Sequence, residues 1–463
     1  MAIMLPSAKR GDDKIQPGIK IGFLNIRLPF IHAPWEIPEM IQAIVVFVTG
    51  VSATVYLEDI FGLPFSVALS IVIVQESFDA VHNILGDSLI SGWITPAIPL
   101  VSSWLLTIDN MRDRIEALIS VQLIVGIIYI LFGLTGIAAK LLDWVPNSVK
   151  AGILIGAGMS AIIGNYGFMP AEEGGVGFFK YPVSFSIGVV LSFFLIFSVG
   201  FKHLRDVHPS KLVAFIAKIG FVPALLLAYL IGVLVKEIPL PVVNLSDGIF
   251  FNPIPGLVES FHSFSMAGLG PPRLSIFLQS IPMGIICYII AFGDIVAGAE
   301  YMKSAESYRP DEIVDINANR SNILVGVRNI LQGLFFPTVT LSGPCWDSMQ
   351  VVIAERYKAG KNQMYSFFGG IITFNLTKAI CCMIIPMIAF VQPIFPLAMS
   401  LTLMIQAFAC FFVALEMVST NEERGVAGMV GGILAIAPPH IGMLAGLVIA
   451  IAVQYLYREK NNH

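Results

Sequence analysis

Apolar residues run almost unbroken near 40–57, 64–84, 114–142, 146–168, 182–200, 212–235, 275–303, 366–390, 394–418 and 438–457. A helix rises roughly 1.5 Å per residue, so about 20 such residues cross the hydrocarbon core of a bilayer. Shorter or more polar pieces lie between them near 88–106, 314–337, 341–355 and 425–437. Together the runs predict an all-α polytopic membrane protein of about 14 transmembrane segments. Two pieces stand apart: 88–106 carries Gly92-Trp93-Ile94-Thr95-Pro96, and 341–355 opens on Leu341-Ser342-Gly343-Pro344. Pro and Gly there argue for interrupted half-helices. These pieces are the third and tenth in order, and a repeat of seven spans, being odd, inverts its second copy. The pattern therefore predicts two inverted repeats of seven, the layout of a secondary transporter.

Composition narrows the class. The 463 residues are 56% apolar and 13% charged, against about 45–50% and about 25% in soluble domains. That leaves too little polar surface to cover a water-soluble body. A net charge of −4 without a basic run excludes nucleic acid as a partner. Cys287, Cys345, Cys381, Cys382 and Cys410 all sit in apolar stretches, so neither a disulfide framework nor a CxxC metal site is expected. The polar, proline-punctuated residues 1–37 read as a retained cytoplasmic arm and not as a signal peptide.

Loop charge sets an orientation. With the N-terminus inside, Lys9, Arg10, Lys14, Lys20 and Arg27 are cytoplasmic, as are Lys140, Lys150, Lys202, Arg205, Lys211, Lys303 and Arg309. Arg356, Lys358, Lys361, Arg424, Arg458 and Lys460 follow the same side, while Arg112 and Arg114 depart from it. Both termini are expected in the cytoplasm, across an inner membrane.

The few charges inside the spans carry the chemistry. Asp294 lies within the apolar run Tyr288–Glu300. A carboxylate there needs a partner, a proton or a cation. It is either a coupling site for Na⁺ or H⁺, with Gly293 and Gly298 allowing close approach, or a structural pair with Arg328 or Lys378. Glu300, closer to the cytoplasm, reads as interfacial. A second candidate is the pair of half-helix starts, Thr95-Pro96-Ala97-Ile98-Pro99 and Ser342-Gly343-Pro344-Cys345-Trp346. Helix N-termini offer unpaired N–H groups and a positive dipole end, which suit an anion. Thr95, Ala97, Ile98, Ser342, Gly343, Cys345 and Trp346 are thus candidate substrate contacts, and Pro and Gly that merely kink packed helices are the plainer reading. Asp347 fits the first turn of the second half-helix as a dipole-compensating residue. Ser52, among the small polar residues of the first span, falls at matching depth. Gln75, Glu76, Asp79 and His82 share a face of the second span, where Glu76 and His82 suggest a proton relay or a gate. Residues 315–329, with Arg320 and Arg328, are too polar to face lipid.

No P-loop, dinucleotide, nucleophile-elbow or metalloprotease motif is present. Asp294 and Glu300, six apart, do not share a helix face. No enzymatic activity and no cofactor or metal beyond a coupling Na⁺ are expected.

Several stretches resemble the sulfate permease (SulP) anion transporters and their fold relatives, the nucleobase–cation symporters. They are Gly62-Leu63-Pro64-Phe65 with Ile84-Leu85-Gly86-Asp87-Ser88 and Ser91-Gly92, then Val145-Pro146-Asn147-Ser148-Val149-Lys150-Ala151-Gly152-Ile153-Leu154-Ile155-Gly156. A third is Asp315, Asn317-Ala318-Asn319-Arg320, Val325-Gly326 and Arg328-Asn329-Ile330, and Ala359-Gly360 fits as well. The resemblance implies a core domain of segments 1–4 and 8–11, a gate domain of segments 5–7 and 12–14, elevator-like alternating access and a homodimer. On this chain that gives an N-terminal arm (1–37), core (38–142), gate (143–236), extracytoplasmic linker (237–272), core (273–390) and gate with a short tail (391–463). It also puts Asp294 at the family's acidic position in the eighth helix, beside substrate and coupling ion. Two departures from the family pattern are expected: no C-terminal STAS domain, and Trp346-Asp347, unusual at the tenth-helix tip.

The expectation is a secondary active transporter of a small anion (bicarbonate, sulfate or a small carboxylate), coupled to Na⁺ or H⁺ through Asp294. One alternative is a nucleobase or heterocycle symporter of the same fold, with Trp346 stacking on the ring and Asp347 or Asp294 binding its N–H groups. A passive anion channel using the same half-helix dipoles is another.

Overall fold

A computed structural model describes residues 2–138, 144–207, 210, 213, 216, 220–244, 246 and 248–455. Lys140, Lys211, Arg458 and Lys460 lie outside the described residues, as do the ends of the expected segments near 114–142, 212–235 and 438–457.

The chain is mostly helical. The first span is α1 (Ile37–Val51) and α2 (Thr54–Phe61), joined at Ser52-Ala53. The hydroxyls of Thr49, Ser52 and Thr54 donate to carbonyls three residues back, which satisfies backbone at the joint without water. Gly62 ends α2 at φ 65°, the left-handed stop that glycine favours, and Pro64 precedes α3 (Phe65–Ile84). Then come strand β6 (Gly92–Trp93), the 3₁₀ turn Thr95–Ala97, α4 (Ile98–Leu106) and α5 (Met111–Thr135). Helices α6 (Asn147–Ile163), α7 (Pro182–Phe197), α8 (Val199–Val207) and α9 (Val222–Leu234) follow. The 237–272 stretch holds helices of its own, α10 (Ile254–Phe264) and α11 (Met266–Leu269). The second half runs α12 (Leu274–Glu306), β7 (Glu312–Ile313), α13 (Ala318–Phe335), β8 (Ser342–Gly343), α14 (Asp347–Lys358) and α15 (Phe367–Cys381). It ends with α16 (Ile385–Val391), α17 (Phe395–Glu416), α18 (Asn421–Ile436) and α19 (Pro439–Ala450).

Five helices among the described residues are long and apolar enough to cross a membrane: 37–61, 65–84, 111–135, 274–306 and 385–416. A sixth arises if α7 and the start of α8, bent by 53°, are one span. The other apolar helices are shorter, α4 and α15 among them. These apolar helices make the chain an integral membrane protein.

Two sets of helices pack mainly among themselves. In one, α5 lies against α13 and α12, α15 against α1 and α3, and α14 against α12. In the other, α6 lies against α18 and α17, α7 against α9 and α17, and α18 against α19. Glycine permits the tightest of these approaches. A Cβ on Gly126 of α5 would stand 2.9 Å from the Gly326 carbonyl of α13, and one on Gly326 would stand 2.8 Å from the Gly126 carbonyl. Only paired glycines let the two backbones meet there.

The expected all-α fold needs one correction: short strands occur, and most of them belong to the arm. Strand β1 (Ala2–Met4) pairs with β5 (Trp35–Glu36), and β3 (Ile19–Ile21) with β4 (Leu24–Ile26). Strand β2 (Lys14–Ile15) pairs in parallel with β7, in the connection between α12 and α13. Arg27 donates its amide to the Ile84 carbonyl at 2.7 Å and lays its guanidinium 3.6 Å from the Phe368 ring centre. Residues 2–36 are therefore bound to the ends of α3, α12 and α15. The polarity of the arm is used for these contacts.

Candidate functional site

Strands β6 and β8 bring the two interrupted segments together. They pair antiparallel, Gly92 opposite Gly343 and Trp93 opposite Ser342. Two bonds extend the contact: Ile94 N to Leu341 O at 3.2 Å, and Trp346 N to Ile90 O at 2.7 Å. Pro96 and Pro99, at the second positions of the Thr95 turn and of α4, pre-set the helical φ. From this crossing α4 and α14 lead away, each with its N-terminus at the ladder. Helix starts leave the first amides without an intrahelical partner and carry partial positive charge.

Around this point the candidate residues divide. Asp294, on α12, is partly exposed beside the exposed Gly293, and its carboxyl lies near that of Asp347 in the first turn of α14. Thr95, Trp93 and Trp346 are also partly exposed. The thiol of Cys345 lies beside the Asp347 carboxyl, and a Cβ on Gly298 would stand 3.1 Å from Cys345 Sγ. Gly298 thus lets α12 pack against the approach to α14.

Other candidates face elsewhere. Ala97 and Ile98 are buried in the apolar core. Ser342 is fully enclosed: its hydroxyl donates to Gln332 Oε1 at 2.6 Å and its amide to Asn329 Oδ1 at 3.0 Å. The Gly343 carbonyl accepts from Arg328. The Ser52 hydroxyl is taken by Thr49 O. Glu300 is exposed and pairs with Lys303 at 2.7 Å.

Arg328 and Lys378 are not partners of Asp294. Lys378 Nζ lies 2.8 Å from Glu76 Oε2 and 3.6 Å from Asp79 Oδ2. Arg328 pairs with the other oxygen of Asp79. The structural-pair reading of Asp294 is corrected: both cations are neutralised by α3, because α3 lies between α15 and α13 at this level. Glu76 and His82 do not bond to each other. His82 Nε2 meets Asp87 Oδ2 at 2.6 Å, Asp87 Oδ1 accepts from Ser321, and Arg328 stands 3.5 Å from His82 Nδ1. Gln350 is a further positioning group that the sequence does not single out: its side chain accepts from Ile90 N at 2.8 Å and donates to Ser88 O at 3.2 Å. A cavity of about 490 Å³ between α5 and α12 is lined by apolar residues such as Ile124, Phe132 and Phe277, and by none of these candidates.

No protein-family profile and no curated protein sequence matches the chain. Solved structures share its fold. Murine solute carrier 26 family member A9, an anion transporter in the inward-facing state, superposes with a TM-score of 0.51 at 13% identity over 91% of this chain and 69% of that one. A second SLC26A9 structure gives 0.53 at 13% identity over 90% and 65%. The transmembrane domain of the cyanobacterial bicarbonate transporter BicA gives 0.48 at 14% identity over 88% and 96%. The chain thus spans about two thirds of the SLC26A9 chains, and at these identities the likeness is one of fold: that of the SLC26 anion transporters.

Proposed function

We propose that the protein is a secondary active transporter of a small anion (bicarbonate, sulfate or a small carboxylate), coupled to H⁺ or Na⁺ at Asp294. The observation that carries this reading is the β6–β8 crossing, where two half-helices begin beside the neighbouring carboxyls of Asp294 and Asp347. The positive helix ends attract an anion. The carboxyls oppose it until neutralised: two unit charges about 4 Å apart repel by about 4 kcal/mol at an effective dielectric of about 20. A proton or cation on Asp294 and Asp347 removes that repulsion, so cation and anion bind together, which is symport. The anion transporter among the structures of this fold supports the substrate class, and transport, not catalysis, is the activity.

The finer organisation belongs to the same proposal. Two inverted sets of seven segments form a core that slides against a gate, and the self-packing of the two helix sets supports that division. The protein works as a homodimer in an inner membrane with both termini cytoplasmic. Uptake of labelled bicarbonate and sulfate into proteoliposomes, with imposed Na⁺ or H⁺ gradients, tests it. Gradient-driven, saturable uptake is expected, lost in Asp294→Asn. Unchanged, cation-dependent uptake in that variant would sink the role of Asp294.

A second reading keeps one observation in its favour. Trp346 presents a partly exposed indole next to Asp347, with the Lys378 ammonium 5.0 Å from its ring centre. A ring whose N–H groups face carboxyls suits a planar heterocycle such as a nucleobase. Displacement of a bound heterocycle by sulfate, or its absence, separates the two.

A further inference from the structure

We infer that Arg328 is a positioning residue that fixes the two half-helix starts relative to each other, an inference that rests on the β6–β8 crossing being the substrate site. Arg328 belongs to α13 and is 5% exposed. Its Nη1 donates to the Gly343 carbonyl at 3.2 Å and its Nη2 to the Gly92 carbonyl at 3.3 Å. These two glycines are the directly opposed pair of the ladder. One planar guanidinium therefore holds both approaches at once, with Asp79 of α3 as its counter-charge.

The ladder needs such a device. Each strand is two residues long, and a pairing that short does not hold its own register. The neighbouring residue of α13 completes the cradle. Asn329 Nδ2 donates to Ser342 O at 2.8 Å while its Oδ1 accepts from Ser342 N at 3.0 Å, so its carboxamide bonds Ser342 as an adjacent strand would. Consecutive side chains of one helix thus grip Gly92, Ser342 and Gly343.

Stability alone gives no reason to place an arginine here. A buried ion pair is often no more stabilising than packed apolar residues of the same volume. The fork geometry does give one, since only arginine presents two donors at a fixed spacing to two carbonyls. Lysine at this place keeps the charge beside Asp79 and reaches one carbonyl at a time. A site built from two helix ends depends on their separation, so loosening the clamp weakens anion binding before it slows the conformational cycle.

Full-length protein in nanodiscs and proteoliposomes, as wild type, Arg328→Gln and Arg328→Lys, tests this. In both variants, amide exchange of peptides spanning 90–95 and 341–346 accelerates about tenfold or more, while peptides from α6 and α18 keep wild-type protection. KM for sulfate or bicarbonate rises about tenfold and Vmax stays within about twofold. Ladder exchange at the wild-type rate in either variant overturns the inference, and so does full recovery of KM by lysine. If Arg328→Gln does not fold, Arg328→Lys decides alone by the same two readouts. If the wild type carries neither anion, the exchange arm still decides the clamp, and the failure falls on the transport reading.

Discussion

The ammonium of Lys378 lies 2.8 Å from a carboxylate oxygen of Glu76. Both side chains are almost fully enclosed, at 2% and 0% exposure. A Cβ on Gly50 of α1 would stand 2.7 Å from the other Glu76 oxygen, so no larger residue fits over the pair. The same ammonium faces the ring of Trp346. A buried ion pair thus joins α3 and α15, with α1 packed against it, to the tip where α14 begins.

Removing either member of this pair leaves a buried charge unmatched. Glu76→Gln and Lys378→Met are each expected to lower stability by about 3–5 kcal/mol, and the double substitution to recover most of it. Thermal unfolding of the three variants in one detergent checks this. Additive losses in the double variant would count against the pairing.

Trp346→Ala discriminates between substrates. For a small anion the indole is a wall, and uptake is expected to fall by no more than about threefold. For a heterocycle the loss of stacking costs about 1–3 kcal/mol, or roughly fivefold to 150-fold in affinity. Thermal-shift titration with sulfate and with a panel of planar heterocycles reads the difference.

A close backbone approach in the first helix set gives a packing test. Gly126→Val places side-chain atoms where the Gly326 carbonyl and the Ile330 side chain already stand, at 2.9 Å from the first added carbon. A loss of about 1–3 kcal/mol follows from overpacking. Gly428→Ala on α18, where nothing stands within 4 Å, is the control and should change little. Equal melting temperatures for the two variants would contradict the account.

The arm carries a pH dependence. Asp311, between α12 and α13, is held below the usual carboxylate range, first by hydrogen bonds from Arg309 and then by the nearby charges of Arg309 and Arg10. A depressed folded-state pKa contributes stability that is complete above the unfolded value of 3.8 and is lost as pH falls through the lower folded value. Docking of residues 2–36 is therefore expected to hold at pH 5 and to loosen toward pH 3. In Asp311→Asn it should be weaker at both. Limited proteolysis of the arm at the two pH values measures it, and equal cleavage of wild type and variant throughout would exclude the Asp311 contact as the anchor.

Much of the architecture is legible from local pattern. The apolar runs place the helices, and Gly92 with Pro96 and Gly343 with Pro344 mark the interruptions, because glycine and proline act on the backbone where they stand. The strands escape notice for the opposite reason. Two-residue ladders carry no periodicity, and β2 finds its partner β7 only once the arm has folded against the connection after α12. The 237–272 stretch reads as a linker because α10 and α11 are too short to span.

The sequence by itself determined that this chain lives in a membrane, where its broken helices fall, and that Asp294, Glu76, Asp79, Arg328 and Lys378 are charges within or beside the apolar runs that require explanation. Hydrophobicity and backbone chemistry are local, so a single chain displays them. Which charge answers which was decided by tertiary structure alone. Arg328 meets Asp79 across 249 residues of sequence, while Asp294, nearer to both cations in the chain, lies near another carboxyl instead. Ion pairing depends on which helix faces adjoin at one depth, and the packing of α3 between α13 and α15 gives both cations to α3. That leaves two acids, Asp294 and Asp347, at the half-helix tip.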